Sequence, residues 1–243
     1  MERCDFLPVS AEEMHERGWW WYDALVVGGD AYVDHPSFGT AVISRVLEAE
    51  GLRVAVLAQP DWHDAEAFRA MGRPRLGVFI GAGNLDSMVA HYTAAKRRRS
   101  EDFYSPGKRS GCRPDRAAIV YCNRAREAFG PDMPIILGSL EASLRRFAHY
   151  DYWDDSVRRA ILFDAPADLL VYGMGEAATI EIAHRLKKKQ SVRTMTDIPG
   201  TGYITRDPSV CKFDHITLPS FEDVRDDKRL YAEATRTEYA EHD

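Results

Sequence analysis

Short apolar runs recur along the chain, separated by segments in which the apolar residues follow a helical spacing. The runs occupy residues 24–27, 54–57, 76–80, 135–137 and 169–172. They are almost free of polar side chains, as expected of strands covered on both faces in a parallel sheet. Each run ends at a glycine, an alanine or a polar turn. The pattern predicts five buried parallel strands.

Amphipathic helices are predicted between these strands. Residues 42–47 place apolar side chains on one helical face ahead of Gly51, which suits a helix end. Residues 118–129 do the same behind Asp115, an expected N-cap. A further helix is expected over residues 84–97. The alternation of strands and helices predicts a doubly wound α/β fold of the Rossmann or flavodoxin-like kind, with a mainly parallel five-stranded sheet.

The pattern changes after a lysine run at residues 187–189, which suits the end of a helix over residues 180–186. We therefore divide the chain into an α/β domain of residues 1–189 and an appendage of residues 190–243. The appendage opens on a turn signal at residues 199–202 between short extended stretches. Ser220 then starts a charged helix that is expected to run toward Asp243.

Polar and glycine-rich segments follow four of the five predicted strands. They occupy residues 28–39, 81–84, 138–143 and 173–176. In an open α/β sheet, ligands bind beyond the carboxyl ends of the strands, where the connections diverge. These four loops are therefore expected to meet at one ligand-binding edge.

The first of these loops concentrates groups that can titrate or form hydrogen bonds. Asp30, Asp34, His35 and Ser37 could supply acid–base chemistry, a metal site or hydrogen bonds to a cofactor. A structural alternative is that Asp34 or Ser37 caps the helix that begins near Phe38. Both interpretations stay open.

A formal dinucleotide fingerprint, G-x-G-x-x-A, lies at Gly173, Gly175 and Ala178. It follows the last strand instead of the first. Glu176 would also place a carboxylate where a pyrophosphate should bind. The motif therefore gives only weak support to NAD binding.

Two other segments suit surface contacts. Residues 96–99 form a basic cluster that could contact RNA or another anion, although a solvated face with a mobile loop at residues 100–114 is the simpler alternative. Residues 145–159 combine arginines with aromatic side chains, as interfaces do, and an interdomain surface is the favoured interpretation. A partly buried helix with local ion pairs is the alternative.

Composition and charge exclude several classes of protein. The apolar content of 45% argues against intrinsic disorder, and 32 basic against 38 acidic residues give a net charge of −6, so a dedicated nucleic-acid-binding protein is not indicated. No apolar run is long enough to span a bilayer or to act as a secretory signal, which favours a cytoplasmic protein. The spacing of the four cysteines, Cys4, Cys112, Cys122 and Cys211, favours free thiols, and no metal site is predicted.

The chain resembles the N-terminal region of the YgiQ family of radical S-adenosylmethionine (SAM) proteins. The resemblance covers nearly the whole chain and is carried by residues 6–8, 29–39, 58–62, 82–88, 113–116, 141–146, 149–153, 199–203 and 218–221. In that family this region precedes a catalytic barrel with a C-x-x-x-C-x-x-C loop that binds a [4Fe-4S] cluster. That loop is absent here, so this chain is not expected to bind the cluster or to be catalytic alone.

The region is also similar to the cobalamin-binding domains that precede many radical SAM barrels. The G-E-G-E-like turn of those domains reads Gly173-Met174-Gly175-Glu176 here. In those domains the pattern D-x-H-x-x-G supplies a histidine as the lower ligand of the cobalt. The pattern is not met here, because Asp34 and His35 are adjacent. Gly81 stands where relatives usually carry threonine, and Ser139 where they usually carry glycine.

These observations predict an auxiliary domain of a YgiQ-like radical SAM protein whose barrel lies in a longer chain or in a separate polypeptide. The alternatives are a free-standing cobalamin- or nucleotide-binding module and an RNA- or anion-binding protein. The bound small molecule and the catalytic residues are unknown. The residues predicted to bind a cofactor are Asp30, Asp34, His35, Ser37, Gly39, Asn84, Gly138, Ser139, Glu141, Arg145, Gly173, Gly175 and Glu176.

Overall fold

The computed structural model describes residues 6–241. The predictions for Cys4 and for the last residues before Asp243 therefore lie outside the described residues. The strands are β1 (Ala24–Gly28), β2 (Val54–Ala58), β3 (Gly77–Gly81), β4 (Ile135–Gly138), β5 (His149–Asp151), β6 (Ser156–Arg158), β7 (Leu169–Val171) and β8 (Thr201–Gly202). The α-helices are α1 (Ala11–Glu16), α2 (Gly39–Ala49), α3 (Glu66–Ala70), α4 (Ser87–His91), α5 (Ala117–Phe129), α6 (Ser139–Leu144), α7 (Glu176–Lys187), α8 (Phe221–Asp226) and α9 (Lys228–Ala240).

The main sheet has the strand order β2-β1-β3-β4-β7-β8. The first five strands in this order are parallel, which confirms the predicted doubly wound, mainly parallel fold. β8 is an additional strand that pairs antiparallel with β7, and β5 and β6 form a separate hairpin. The connection after β1 leads to β2 on one side, whereas the connection after β3 leads to β4 on the other, so the connections diverge between the carboxyl ends of β1 and β3.

Two hydrophobic cores lie on opposite faces of the sheet. On one face, Phe68 of α3 and Tyr121 of α5 are fully buried. On the other face, Leu47 of α2 and Ile182 of α7 pack into a second buried cluster. The strands are therefore covered on both faces, which explains their nearly continuous apolar sequence.

The helix expected over residues 84–97 is much shorter in the structure. α4 ends at His91, because Tyr92 has extended dihedral angles and Lys96 adopts a left-handed φ of 56°. The Arg99 N–H donates to the His91 carbonyl at 2.7 Å and turns the segment back on itself. The apolar pattern had no stop signal at this point.

Asp115 does not cap α5, contrary to the prediction. The N-cap residue is Arg116, which has a left-handed backbone and makes no side-chain cap. The Asp115 carboxylate instead contacts His91 Nδ1 at 2.6 Å and accepts the Tyr92 hydroxyl at 2.7 Å. Asp115 thus connects α5 to the end of α4.

Both outer strands of the parallel part of the sheet, β2 and β7, have further partners. The Val56 N–H of β2 donates to the Pro8 carbonyl at 2.9 Å, and β8 pairs with β7. β8 belongs to residues 190–243, and Met195 and Ile198 of the same segment are buried in the core cluster that contains α7. The domain boundary at residue 189 stays a prediction.

The single helix expected after Ser220 is two helices. Ser220 caps α8 by accepting the Asp223 N–H, as predicted. Asp227 then adopts an extended conformation and caps α9 through the Arg229 N–H. A second cap within the charged segment therefore divides the predicted helix.

Candidate functional site

A crevice of about 270 Å³ opens at the carboxyl ends of β1, β3, β4 and β7, between the beginnings of α2 and α7. Its walls are mostly apolar. Val42 and Ile43 come from α2, and Phe79, Ile136 and Val171 come from the strands. The crevice lies where the topology places ligand sites in open α/β sheets.

The N-cap residues of the two helices that border the crevice supply no side-chain cap. Phe38 precedes α2, and Gly175 precedes α7, and neither supplies a capping hydrogen bond. The alternative that Asp34 or Ser37 caps α2 is therefore wrong. Because Gly39, Thr40, Gly175 and Glu176 line the crevice, the positive ends of both helix dipoles border it.

Six of the predicted site residues line this crevice. They are Gly39, Gly138, Ser139, Gly173, Gly175 and Glu176. A Cβ atom on Gly175 would come within 2.7 Å of Val171 Cγ1, so the turn after β7 is closely packed against its own strand. The loops that carry these six residues therefore meet at one edge of the sheet, as predicted.

Gly81 and Ser139 are packed against each other at the floor of the site. A Cβ atom on Gly81 would lie 3.2 Å from Ser139 Cβ. Ser139 itself has a left-handed φ of 74°, and its hydroxyl accepts the Ala82 N–H at 3.0 Å. The serine side chain thus occupies the space into which a larger residue at position 81 would extend.

We expect Gly81→Thr to destabilise the chain by about 1–3 kcal/mol, because it overpacks a filled site. Adding Ser139→Gly should recover most of this loss, since it removes the opposing side chain and the φ penalty together. Urea unfolding of the two single variants and the double variant measures the coupling. Additive effects of the two substitutions would contradict the proposed packing.

Asp30 lies outside the crevice wall, in a buried cluster with Arg113 and Asp102. Arg113 Nη1 is 2.8 Å from Asp30 Oδ1, and Arg113 Nε and Nη2 donate to Asp102 at 2.9–3.1 Å. Arg113 is 0% exposed. Burial raises the pKa of Asp30, whereas Arg113 and the Asn84 N–H, which donates at 2.7 Å, act to lower it. Asp30 therefore anchors the loop that borders the site.

Asp34, His35, Ser37 and Asn84 form the polar border on the α2 side. Asp34 pairs with Arg45, and the Ser37 N–H donates to His35 Nδ1 at 3.1 Å. The Asn84 amide joins the neighbouring loop by donating to the Ser37 carbonyl at 2.9 Å and accepting the Gly39 N–H at 3.3 Å. None of these four residues belongs to the crevice lining described above.

Glu141 and Arg145 lie behind the site, in contact with α4. The buried Glu141 carboxylate accepts the Ser87 N–H at 2.8 Å and the Ala118 N–H at 3.0 Å, which joins the beginnings of α4 and α5. Burial, and then the neighbouring Asp86, raise the pKa of Glu141. Arg145 forms an ion pair with Asp86. Both predicted site residues thus have partners within the chain.

The sequence did not reveal the roles of Asp102 and Arg113. Asp102 lies in a polar segment that was considered mobile, yet its carboxylate also accepts the Ser105 hydroxyl at 2.8 Å. Arg113 lies in the same polar segment. Nothing in the sequence of this polar segment indicates that Asp102 and Arg113, eleven positions apart, become buried together.

Cations in and near the basic cluster at residues 96–99 are engaged within the chain. Arg99 Nε donates to the Val89 and Tyr92 carbonyls, and Arg116 pairs with Asp151 and Asp154. Together with the burial of Arg113, these contacts reduce the charge available to a nucleic acid.

Within residues 6–241, no group of three or more His, Cys, Asp or Glu side chains is arranged to hold a metal ion. Cys112, Cys122 and Cys211 are free thiols, and Cys122 is buried. None of the described helices is both long and apolar enough to cross a membrane.

Comparisons with known proteins give consistent matches. The family model for the radical SAM N-terminal region matches residues 6–243. A UPF0313 protein from Clostridium botulinum strain 657 is 54% identical over all of this chain and 38% of its own length, and one from Clostridium perfringens strain 13 is 51% identical over all of this chain and 37% of its own length. The chain therefore spans little more than a third of these relatives.

Among solved structures, the radical SAM methyltransferase TsrM from Kitasatospora setae, with cobalamin and a [4Fe-4S] cluster bound, matches with a TM-score of 0.46 and 20% identity. The match covers 75% of this chain and 27% of that protein.

Proposed function

Because the chain belongs to the radical SAM N-terminal family, we propose that it is the cofactor-binding region of a larger radical SAM protein and that its crevice holds the nucleotide tail of a cobalamin. The observation that carries this proposal is the crevice between α2 and α7, with apolar walls and the N-termini of both helices at its border. When bound, cobalamin supplies a cobalt centre for alkyl-transfer or radical chemistry.

The walls of the crevice suit a flat heterocyclic base. Val42 and Ile43 on one side and Ile136 and Val171 on the other offer apolar surface without a charged side chain. A base inserted between these side chains would be transferred from water to a mostly apolar site, which is favourable. Gly138 and Gly173 carry no side chains, so the entrance of the crevice stays open to a ligand.

The border of the crevice suits the phosphate and sugar of such a tail. Apart from the Gly39 N–H, which donates to Asn84, the first-turn N–H groups of α2 and α7 provide donors for a phosphodiester. Glu176 disfavours a second phosphate, as in a dinucleotide, but its carboxylate can accept a hydrogen bond from a ribose hydroxyl. A ligand with one phosphate between a sugar and an apolar base therefore fits better than NAD.

His35 is not proposed as a cobalt ligand. Its Nδ1 accepts the Ser37 N–H, so in the neutral ring the proton resides on Nε2. Coordination of cobalt through Nε2 would require that proton to move to Nδ1, which would break the hydrogen bond from the Ser37 N–H. We propose instead that the nucleotide tail, and not His35, provides most of the affinity.

Within residues 6–241, the cysteines are not gathered to hold a [4Fe-4S] cluster. Such a cluster needs several gathered thiolates, whereas Cys122 is buried by itself and burial raises the pKa of its thiol strongly. We therefore assign the cluster and SAM to a barrel in a longer chain or in a partner polypeptide. The substrate stays unassigned.

Filling the crevice should abolish binding of the tail. A Cβ atom on Gly39 meets no atom within 4 Å, so Gly39→Phe can place its ring at the crevice without a backbone clash. We expect hydroxocobalamin affinity, measured by absorbance titration, to fall at least about tenfold, equivalent to 1.4 kcal/mol. Gly39→Ala is the matched control, and it should bind like the unsubstituted chain.

Cobinamide, which lacks the nucleotide tail, separates the proposed site from other modes of corrinoid binding. It should bind more weakly than cobalamin and should be insensitive to Gly39→Phe. His35→Ala should leave cobalamin affinity unchanged. Equal binding of cobalamin and cobinamide, or displacement of cobalamin by AMP or NAD at similar concentrations, would show that a different ligand class uses the crevice.

A further inference from the structure

We propose that exposed apolar side chains beside the crevice form a docking face for the domain that follows this region in the longer relatives. The face consists of Val89, Leu140, Leu144, Tyr150, Tyr152 and Met174, all of them exposed. This inference rests on the proposed function, because it assigns a surface to the second domain.

These residues form one connected surface. Val89, Leu144, Tyr150 and Tyr152 line a single open trough of about 610 Å³. The Gly173 N–H donates to Ser143 Oγ at 3.3 Å, which holds the turn that carries Met174 against α6. Leu140 and Leu144 belong to that helix.

The chemistry of the face is that of a protein interface. Isolated exposed apolar residues are ordinary, but a contiguous group of them marks an interaction site. Methionine and aromatic residues are concentrated at the centres of interfaces. In this chain Met174 is 90% exposed, as expected of an interface residue whose partner is absent. The face combines both residue types with the nearby Arg99 and Arg145.

The trough is already held in shape before a partner binds. The rings of Tyr92 and Trp153 lie 4.4 Å apart, and Lys96 Nζ lies 4.9 Å from the centre of the Tyr152 ring. The Tyr152 hydroxyl also donates to the Ala94 carbonyl at 2.6 Å. A surface with few side chains left to order loses little entropy on docking.

The position of α9 favours the following domain as the occupant. The Tyr231 hydroxyl of α9 accepts the Tyr150 N–H at 3.0 Å, so the last described helix lies beside the trough. The matched relatives continue beyond the region shared with this chain, which makes up 38% of one of them. A domain joined through α9 would meet the face at high effective concentration, so even a modest interface would stay closed.

Hydroxyl-radical footprinting tests the face directly. The 243-residue chain is compared with a chimera in which it is followed by the remaining sequence of the Clostridium botulinum relative, both without cobalamin. Oxidation of Tyr150, Tyr152 and Met174 should slow at least about fivefold in the chimera, because interface centres exclude water. Trp20, which precedes β1 and is 80% exposed, is the internal control and should react equally in both.

Substitution locates the protection on the proposed face. Val89→Asp with Leu144→Asp should restore Met174 oxidation in the chimera, whereas Ile204→Asp, at another exposed apolar position, should not. The full-length relative provides a second sample that does not depend on folding of the chimera. Its side chains aligned with Tyr150, Tyr152 and Met174 should be protected in the same way.

The docking face would be overturned if these side chains were oxidised as fast in the full-length relative as in the 243-residue chain. Protection that survives the paired aspartate substitutions would do the same. Neither result affects the proposed function, because cobalamin titration of the 243-residue chain tests that separately. Failure of the titration with intact protection would instead overturn the cobalamin proposal and leave the docking face supported.

Discussion

Arg113→Leu is expected to destabilise the chain by about 3–5 kcal/mol, since it removes the only cation that contacts two buried carboxylates in the described cluster. Asp30 and Asp102 would stay buried without their guanidinium partner. The free energy of unfolding in urea measures the effect. Arg69→Leu is the matched control, because Arg69 pairs with Glu66 at the surface and should contribute at most about 1 kcal/mol.

The pH dependence of the Arg113→Leu variant provides a second measure of the same cluster. Arg113 lowers the pKa of Asp30, so its removal raises that pKa further above the ordinary value. A carboxyl group whose pKa is raised on folding contributes stability at low pH that is lost as the pH rises through the folded-state pKa. The deficit should therefore be smaller at about pH 5 than at about pH 8. A deficit that is independent of pH would show that lost packing, not unpaired charge, dominates.

Glu141→Ala is expected to have the next largest effect, about 2–5 kcal/mol, because two buried backbone N–H groups lose their acceptor. These are the N–H groups of Ser87 and Ala118, at the beginnings of α4 and α5. Thermal and urea unfolding measure the loss. Hydrogen exchange should locate it, with faster exchange at Ser87 and Ala118 than in the unsubstituted chain.

Glu141→Gln separates the hydrogen bonds from the charge. The amide keeps one acceptor and loses the other, so we expect a loss of about 1–3 kcal/mol at neutral pH. Because the pKa of Glu141 is raised in the folded state, the unsubstituted chain loses stability as the pH rises through that pKa. The glutamine variant should lack this contribution. Identical pH profiles for the two proteins would contradict the raised pKa.

The five parallel strands could be predicted closely because burial on both faces imposes one requirement, apolar side chains, along each of them. β1 begins at Ala24 as predicted and ends one residue later, at Gly28. β8 could not be predicted, since its two residues, Thr201 and Gly202, carry no apolar signal and gain their strand geometry from pairing with β7. Tertiary pairing, not local propensity, defines such a short strand.

The candidate site was predictable only in its position. The edge follows from topology, so Gly39, Gly138 and Gly175 could be placed together from sequence. Which polar groups face a ligand and which are consumed inside the protein depends on contacts between distant segments. Glu141 and Asp30 both lie in the expected loops, and both turn into the protein to satisfy buried partners. Composition contains no information on that choice.

The two outer partners of the sheet also bear on how this chain behaves in solution. An exposed edge strand is a template on which a second molecule can add a strand, which leads to aggregation or strand exchange. The Pro8 carbonyl accepts the Val56 N–H at the outer edge of β2, and the short β8 pairs with part of β7. Because Pro199 and Gly200 precede β8, the added strand stays too short to extend the template further. We therefore expect both outer strands of the parallel sheet to be poor templates for a second molecule.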